Sequence, residues 1–519
     1  MSRTTREGIV LDTDIDVLIV GAGPVGLFLA NECARRNLRW RLVEKHSSLS
    51  VHSKALAIFP RAMEMLDMAG LADPFLEAAN RVTSVAVLTQ RRALARLRFA
   101  PKESPYPFIA MVPQNVTERI LADRLQQRGG SIEFDTSFVS ATQDAEHVVA
   151  TLSHNGQSEE ITAAFVVGCD GPRSTLRELL QLPFEGGEYS LSFMLADIET
   201  NDTLPEDQLQ LCPNASGPVA IFPMGKSRRR VIATVDSREG EAPSLEVVRS
   251  VLRERGPIGI EARAMGWSSY FYIHHRHTAQ LHVGRIFIAG DAAHIHSPFG
   301  GQGMNTGFHD VWNLAWKLDL VVRGLDNERL LESYDAERVP WIERVIKTTH
   351  ALTTALGTPN KVAQALRNTV LPVVSRLPLF QHAFVQRLSG LGMAYGGSPL
   401  VEGDGERYWD DSLRGGDGIR SRFLLLCGDE ANPAVKEEAR RVAESLSDVV
   451  ELRMGPHREI TLVRPDGYVA YSGRGRDALA ALGSLRSLLE SQTSDARTAN
   501  ALSHPEDSHS RNGRPSLVQ

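Results

Sequence analysis

Three glycines in Gly21-Ala22-Gly23-Pro24-Val25-Gly26 stand at the spacing that a phosphate-holding turn requires. The first permits the tight turn, the second lets a pyrophosphate approach the backbone, and the third lets a helix pack closely on a strand. Their surroundings supply the needed context. Residues 15–20 (Ile-Asp-Val-Leu-Ile-Val) read as a buried parallel strand, and Pro24 suits the first turn of a helix whose amides and positive dipole end would face an anion. Glu44 closes a second short strand, 39–43, eighteen residues past Gly26, where a carboxylate accepts hydrogen bonds from a ribose; Lys45 beside it is also assigned to cofactor binding. An ordinary strand-end carboxylate is the competing reading of Glu44. The chemistry expected of the set is dinucleotide binding.

A second constellation, Gly290-Asp291-Ala292-Ala293-His294-Ile295-His296-Ser297-Pro298-Phe299-Gly300-Gly301-Gln302-Gly303-Met304-Asn305, decides which dinucleotide. It reads as the end of a strand (284–290), an acidic turn, a Pro/Gly loop and a helix start. Asp291 in such a place binds a ribityl hydroxyl, and the helix amides aim at an isoalloxazine ring, whose reduced form is anionic. A dehydrogenase using only NAD has no need of it. His294 and His296 at i, i+2 lack a third ligand, so no metal is expected.

These motifs need elements to position them, and the chain is long enough for several. At 519 residues two or three cores are expected, and the proportions of 42% hydrophobic and 23% charged residues are those of an ordinary globular chain. A net charge of −6 gives no field for binding nucleic acid, and the one basic run, Arg228 to Arg230, reads as a solvated hairpin. Four widely spaced cysteines (Cys33, Cys169, Cys212, Cys427) make no CxxC pair, which fits a reducing cytoplasm. No signal peptide, spanning segment or internal repeat is read; the most apolar stretch, 17–30, is broken by glycine and proline.

A βαβ opening and further strands at 160–168 and 284–290 assign 14–185 and 281–395 to one dinucleotide-binding domain, the second part carrying a long amphipathic helix over 303–323. Between them, 186–280 reads as an antiparallel sheet, with strands at 189–200, 219–222, 231–235 and 267–275. A Gly-rich linker at 396–418 precedes a βαβ-ββα pattern at 419–492: strand 423–427, helix 434–446, strand 449–454, a hairpin through Pro465-Asp466-Gly467 and a helix over 477–489. The polar tail 493–519 is expected to be disordered.

The chain resembles the group A flavoprotein monooxygenases, the p-hydroxybenzoate and phenol hydroxylase family. Three motifs match in order over residues 14–345: the glycine fingerprint, Val166-Val167-Gly168-Cys169-Asp170-Gly171-Pro172-Arg173-Ser174-Thr175-Leu176-Arg177, and the Gly290-Asp291 segment. The resemblance implies an α/β fold: a Rossmann-like FAD-binding domain interrupted by an antiparallel-sheet substrate domain, plus a thioredoxin-like C-terminal domain. It also implies that Asp170 serves FAD and NAD(P)H, that Gln114 lies along the FAD and that Asp291 holds the ribityl chain. Amides near Gly301, Gly303, Met304 and Asn305 would face the pyrimidine edge of the flavin, and Pro298 would border its oxygen-reacting face. Taken alone, Asp170 reads equally as a turn residue and Gln114 as a surface amide. In Ser53-Lys54-Ala55 the family usually has Arg where this chain has Lys54, which supplies charge without a rigid fork.

The segment 462–470 resembles the thioredoxin-like tail of phenol and polyketide hydroxylases, with Tyr471-Ser472 replacing the usual Trp-Arg. With Cys427 alone there, disulfide exchange has no chemical basis, and the domain reads as structural or oligomer-contacting, which allows a homodimer. The activity implied is hydroxylation: NADPH or NADH reduces FAD, oxygen adds at the flavin C4a carbon, and the hydroperoxide delivers one oxygen atom to a phenolic or polyketide-like ring. Phe222, Met224, Arg230, Ile232, Tyr270 and Tyr272 are the pocket candidates from the inserted sheet, and no catalytic base is assigned. The partners expected are a small aromatic molecule and O2, with no nucleic acid and no membrane. A Baeyer–Villiger or epoxidising reaction and a non-catalytic FAD-binding redox sensor are the competing readings.

Overall fold

The computed structural model describes residues 13–51, 53–188, 192–235, 242–271, 274–325, 328–416, 421–457, 459–473 and 482. Strand Ile15–Val20 lies inside a sheet ordered His282–Val283, Ile286–Ile288, Gln157–Gly168, Ile15–Val20, Trp40–Val43. It is buried on both faces, which is why its sequence is a nearly continuous apolar run. Gln157–Gly168 is longer than the expected 160–168 because it serves two partners. Its polar first half pairs antiparallel with Val148–His154, and its apolar second half runs parallel to Ile15–Val20.

The register of this sheet assembles the site. Val20 stands beside Gly168, and Gly168 beside Ile288, so three strands end at one level and deliver the loops after 20, 168 and 288 side by side. Open parallel sheets bind ligands at this carboxyl edge. Behind the loops runs the helix Gly303–Val322, buried over nearly its whole length, with Trp312 stacked on Phe28 at 6.0 Å between ring centres.

A second, seven-stranded sheet runs in the order Ala262–Phe271, Ser192–Thr200, Arg228–Val235, Val219–Pro223, Gln208–Cys212, Ser84–Leu88, Ala93–Arg98. The sequence reading confined this sheet to 186–280. Two strands in fact come from 84–98, joined through a parallel pairing of Gln208–Cys212 with Ser84–Leu88. One face, carrying Phe193, Phe222 and Ile232, belongs to an apolar cluster with Phe59 and Phe299; the other packs with residues of the helix Leu245–Arg255.

The C-terminal strands are ordered Val450–Gly455, Phe423–Gly428, Ile460–Val463, Val469–Gly473, parallel for the first pair and antiparallel thereafter, with the helix Pro433–Ser445 following the Phe423 strand. Of the helix expected over 477–489, only Leu482 is described, and it is buried; the tail 493–519 lies outside the described residues. The stretch 396–418, expected as a linker, is laced to these strands as far as it is described, through Glu402 N to Ala470 O (2.8 Å), Tyr408 N to Gly467 O (2.9 Å) and Val469 N to Glu406 O (2.8 Å).

Nor is the C-terminal unit loosely attached. Leu424, Leu426 and Val463 belong to the same core as the first sheet. A fully buried polar cluster crosses the junction. Glu337, on the helix Arg329–Gly357, accepts from Arg464 Nη2 (2.9 Å), Lys317 Nζ (2.8 Å) and Asn313 Nδ2 (2.6 Å), while Arg464 also pairs with Asp466 (2.6 Å). Trp312 Nε1 and Arg61 Nη2 donate to Asp466 O at 3.0 and 2.9 Å.

Candidate functional site

A cavity of about 860 Å³ opens where the three loops meet the second sheet. Of the residues assigned to cofactor binding, Gly23, Pro24, Lys54, Gln114, Asp291, Pro298, Gly301, Gly303 and Met304 line it. Gly21, Gly26, Glu44, Lys45, Asp170, Gly290 and Asn305 do not line it.

The glycine turn shows why each glycine is where it is. Gly21 has φ +103°, and a Cβ there would meet Cys169 O at 2.5 Å. A Cβ on Gly26 would lie 2.0 Å from Gly21 O, whereas one on Gly23 would meet no protein atom within 4 Å. Two glycines are thus fixed by packing, and the third leaves its backbone open to the cavity. Glu44 accepts from Ala22 N (2.9 Å) and His46 N (3.0 Å), so it ties the glycine turn to the end of the second strand. Lys45 is exposed.

Asp170 does not itself face the cavity. Its Oδ2 accepts from Thr175 N (2.8 Å) and Leu176 N (3.3 Å) at the start of the short helix Thr175–Leu179, while its buried Oδ1 has no protein partner. Gly171, Pro172 and Arg173 are the lining residues of that loop. Gln114 fixes the loop that carries Lys54: its Oε1 accepts from Ala55 N (3.0 Å) and Lys54 N (3.3 Å), and its Nε2 donates to Glu118 Oε1 (2.9 Å). Asn305 does the same for strand Ala57–Ile58, accepting from Phe59 N (2.9 Å) and donating to Ala57 O (2.9 Å).

Asp291 is exposed to the cavity, and the protein that surrounds it displaces enough water to raise its carboxyl above the usual range, against the charges of His294 and Lys54. Its turn is held from behind by Asp310, which accepts from Gly290 N (3.0 Å), pairs with His294 Nε2 (2.7 Å) and receives Arg338 Nε (2.9 Å), all buried. The sequence reading missed this carboxylate; Asp310 and His294 are sixteen residues apart and meet only because the helix doubles back behind the turn. His296 contributes to the cavity wall, and burial pushes it down to about 4, so it is neutral at ordinary pH. Its Nδ1 lies 3.1 Å from Ser297 O, and its buried Nε2 has no protein partner.

The substrate candidates divide by the pleat of their strands. Phe222 and Ile232 line the cavity. Met224 packs against the apolar cluster below without lining it. Arg230 belongs to the lining, but its guanidinium pairs with Asp197 (2.7 Å) and donates to Ala55 O (3.1 Å), so it is a clamp between the second sheet and the Lys54 loop rather than a group offered to a ligand. Tyr270, in register with Met194, faces the cluster under the Leu245–Arg255 helix, away from the cavity. Its neighbour Phe271, stacked on Phe193 at 5.8 Å, is the residue that reaches the cavity. Tyr272 lies outside the described residues.

Glu118 gives this wall a pH dependence. Burial pushes its carboxyl up to about 7 from 4.5, against the lowering effect of the Gln114 bond, with Glu44 adding to the rise. The folded state therefore holds a proton that the unfolded chain releases above about pH 4.5. The contribution of this site to stability is full below that pH and is lost as pH rises through 7. Glu118→Gln is expected to match the parent near pH 5 and to exceed it by about 1–2 kcal/mol at pH 8, read from urea midpoints at both pH values. Equal midpoints at pH 8 would mean that the carboxyl is ionised without cost.

The residues present fit FAD. A backbone left bare at Gly23 and a helix start at Gly303 and Met304 border one cavity, with Asp291 between them and Lys54, Arg173 and Arg177 around it. Among the described residues no three His, Cys, Asp or Glu side chains converge to hold a metal, and no described helix is long and apolar enough to cross a membrane.

A family described as FAD binding domain matches residues 14–349. The chain is 35% identical over 456 residues to 6-methylpretetramide 4-monooxygenase from Streptomyces rimosus, covering 83% of this chain and 77% of the relative. It is 30% identical over 477 residues to pentachlorophenol 4-monooxygenase from Sphingobium chlorophenolicum, covering 88% and 86%. Among solved structures it is similar to the anhydrotetracycline hydroxylase from Streptomyces rimosus, with a TM-score of 0.74 and 28% identity over 90% of this chain and 98% of that one.

Proposed function

Because this chain belongs to the FAD-binding-domain family of class A flavoprotein monooxygenases, we propose that it hydroxylates a fused-ring phenolic molecule of polyketide type. It is an FAD-dependent aromatic monooxygenase. One juxtaposition carries the finer reading. The start of the Gly303–Val322 helix and the apolar sheet wall of Phe222, Ile232 and Phe271 face into the same cavity, so a planar aromatic substrate would be held beside the flavin end of the cofactor. Similarity to enzymes named for 6-methylpretetramide and anhydrotetracycline supports a multi-ring substrate over a single ring.

When bound, FAD accepts a hydride from NAD(P)H and activates O2, so that one oxygen atom enters the substrate and the other leaves as water. The chain's own residues bind and orient. Gly23 would leave room for the pyrophosphate, Asp291 would take a ribityl hydroxyl, and the amides near Gly303, Met304 and Asn305 would serve the pyrimidine edge, since a helix N-terminus favours negative charge. Gln114 and the Arg230–Asp197 clamp hold the Lys54 loop in place at the cavity wall, where Lys54 would face the cofactor. Phe222, Ile232 and Phe271 exclude water from the reacting ring. The four cysteines are all unpaired, which supports a reducing, cytoplasmic setting.

Mass spectrometry of products formed under labelled O2 from a panel of phenols, polycyclic quinones and ketones, with NADPH consumption followed, tests the reading. A single labelled hydroxyl on a polycyclic ring is the expected product. A labelled ester oxygen would make this a Baeyer–Villiger enzyme, and turnover confined to simple phenols would remove the polyketide assignment.

A further inference from the structure

The helix Lys361–Val374 is folded onto the protein with its apolar side outward. Its exposed positions, 361, 362, 365, 366, 369, 370 and 373, recur at helical spacing and include Val362 (77% exposed), Leu366 (63%), Val370 and Val373. Lys361 and Thr369 apart, its polar side chains are half-buried: Gln364 Nε2 donates to Thr358 O (3.0 Å), Arg367 Nη1 donates to Ala355 O (2.9 Å), and Asn368 Oδ1 accepts from Arg367 Nε (3.2 Å). A surface helix ordinarily does the reverse. The apolar surface continues past the helix end into Leu377 and Leu379, the latter 85% exposed at the start of the next helix, Pro378–Ser389.

The charge around this surface is one-sided. Residues 344–401 contain no Asp or Glu, yet they carry Arg344, Lys347, Lys361, Arg367, Arg376 and Arg387, in a chain whose net charge is −6. Lys361 and Arg376 are exposed at the two ends of the outward helix. Arg344, Lys347 and Arg387 line a surface cleft of about 620 Å³ together with Pro340, Ala351 and Leu352; Lys347 also bonds to the exposed Glu343. A second copy is a poor occupant for this face. Antiparallel pairing of two such helices about a two-fold axis brings the Lys361 end of one copy against the Arg376 end of the other. Exposed valine and leucine flanked by cations instead complement a surface that is apolar beneath and anionic above.

We propose that the helices Lys361–Val374 and Pro378–Ser389 dock this enzyme on the surface of a bilayer containing acidic lipids. Val362, Leu366, Val370 and Leu379 enter the acyl boundary, and Lys361, Arg376 and the Arg344/Lys347/Arg387 cleft meet the headgroup phosphates. This changes the expectation of no membrane partner, which rested on the lack of a spanning segment. The association is peripheral and reversible, and the two helices pack through Leu371, Phe384 and Leu388 against the apolar cluster that contains Phe222 and Ile232.

The test is flotation of the full-length, FAD-loaded protein with phosphatidylcholine vesicles and with vesicles containing about one-third phosphatidylglycerol. The bound fraction is expected to be at least about fivefold higher on the acidic vesicles and to fall to the neutral level in about 0.5 M salt. Leu366→Asp combined with Val370→Asp is expected to abolish binding, and Lys361→Glu combined with Arg376→Glu to reduce it at least about fivefold, each with flavin absorbance and turnover unchanged. Equal binding to the two vesicle types, no binding to either, or full binding by the Asp variant would overturn the proposal. So would sedimentation showing a wild-type dimer that the Asp variant dissolves, since the face would then join two copies.

Discussion

Replacing Glu337 by glutamine is expected to lower the stability of the protein by about 3–5 kcal/mol, a large part of the roughly 5–15 kcal/mol that holds a typical fold together. Among the described residues Glu337 is the one carboxylate that contacts Arg464, Lys317 and Asn313 together, and all of these groups are buried. Its removal leaves two cations facing Asp466 alone in a region where water cannot replace the lost charge. Its amide would also turn an N–H toward groups that donate. Urea unfolding followed by both tryptophan fluorescence and flavin release checks this, since Trp312 and Trp316 lie at the junction. A midpoint shift equivalent to less than about 1 kcal/mol would show that the cluster is replaceable.

Gly26→Ala is expected to weaken FAD retention at least about thirtyfold, equivalent to about 2 kcal/mol, and to lower the stability of the apoprotein as well. Its methyl group would lie 2.0 Å from Gly21 O. Gly21 has little room to retreat, because its amide bonds to Val43 O (2.8 Å) and its other side meets Cys169 O. Gly23→Ala separates steric damage from loss of phosphate space. Its methyl group meets no protein atom within 4 Å, so apoprotein stability is expected to stay within about 0.5 kcal/mol while FAD affinity falls. Equilibrium titration of apoprotein with FAD, with thermal unfolding in parallel, measures both. Undiminished FAD binding by Gly23→Ala would move the pyrophosphate away from this turn.

The parts of the site that the sequence made legible are those with local syntax. The glycine turn, the Asp291 turn and the start of the Gly303–Val322 helix each announce themselves within a dozen residues, because strand, turn and helix follow without interruption. Phe222 and Ile232 were legible as members of apolar strands. The reading failed where the answer depended on a partner far along the chain or on the phase of a pleat. Arg230 looked like a pocket cation until Asp197, on the neighbouring strand, accounted for it. Tyr270 and Phe271 differ by one position, and nothing local says which of the two faces inward; the register with Phe193 decides it. Glu337, Lys317 and Arg464 sit on three separate elements, so their cluster exists only in the folded chain.

The pairing of Gln208–Cys212 with Ser84–Leu88 limits how this enzyme can be recombined with its relatives. A chimaera that exchanges 186–280 as one cassette cuts across a single sheet, leaving strands Ser84–Leu88 and Ala93–Arg98 from one parent to zip onto an edge from the other. Parallel edges match only when both backbones keep the same twist and the same alternation of large and small side chains. Transplanted specificity therefore travels as two fragments, 84–98 and 186–280, and a donor should be chosen for the fit of its first fragment as much as for the pocket in its second.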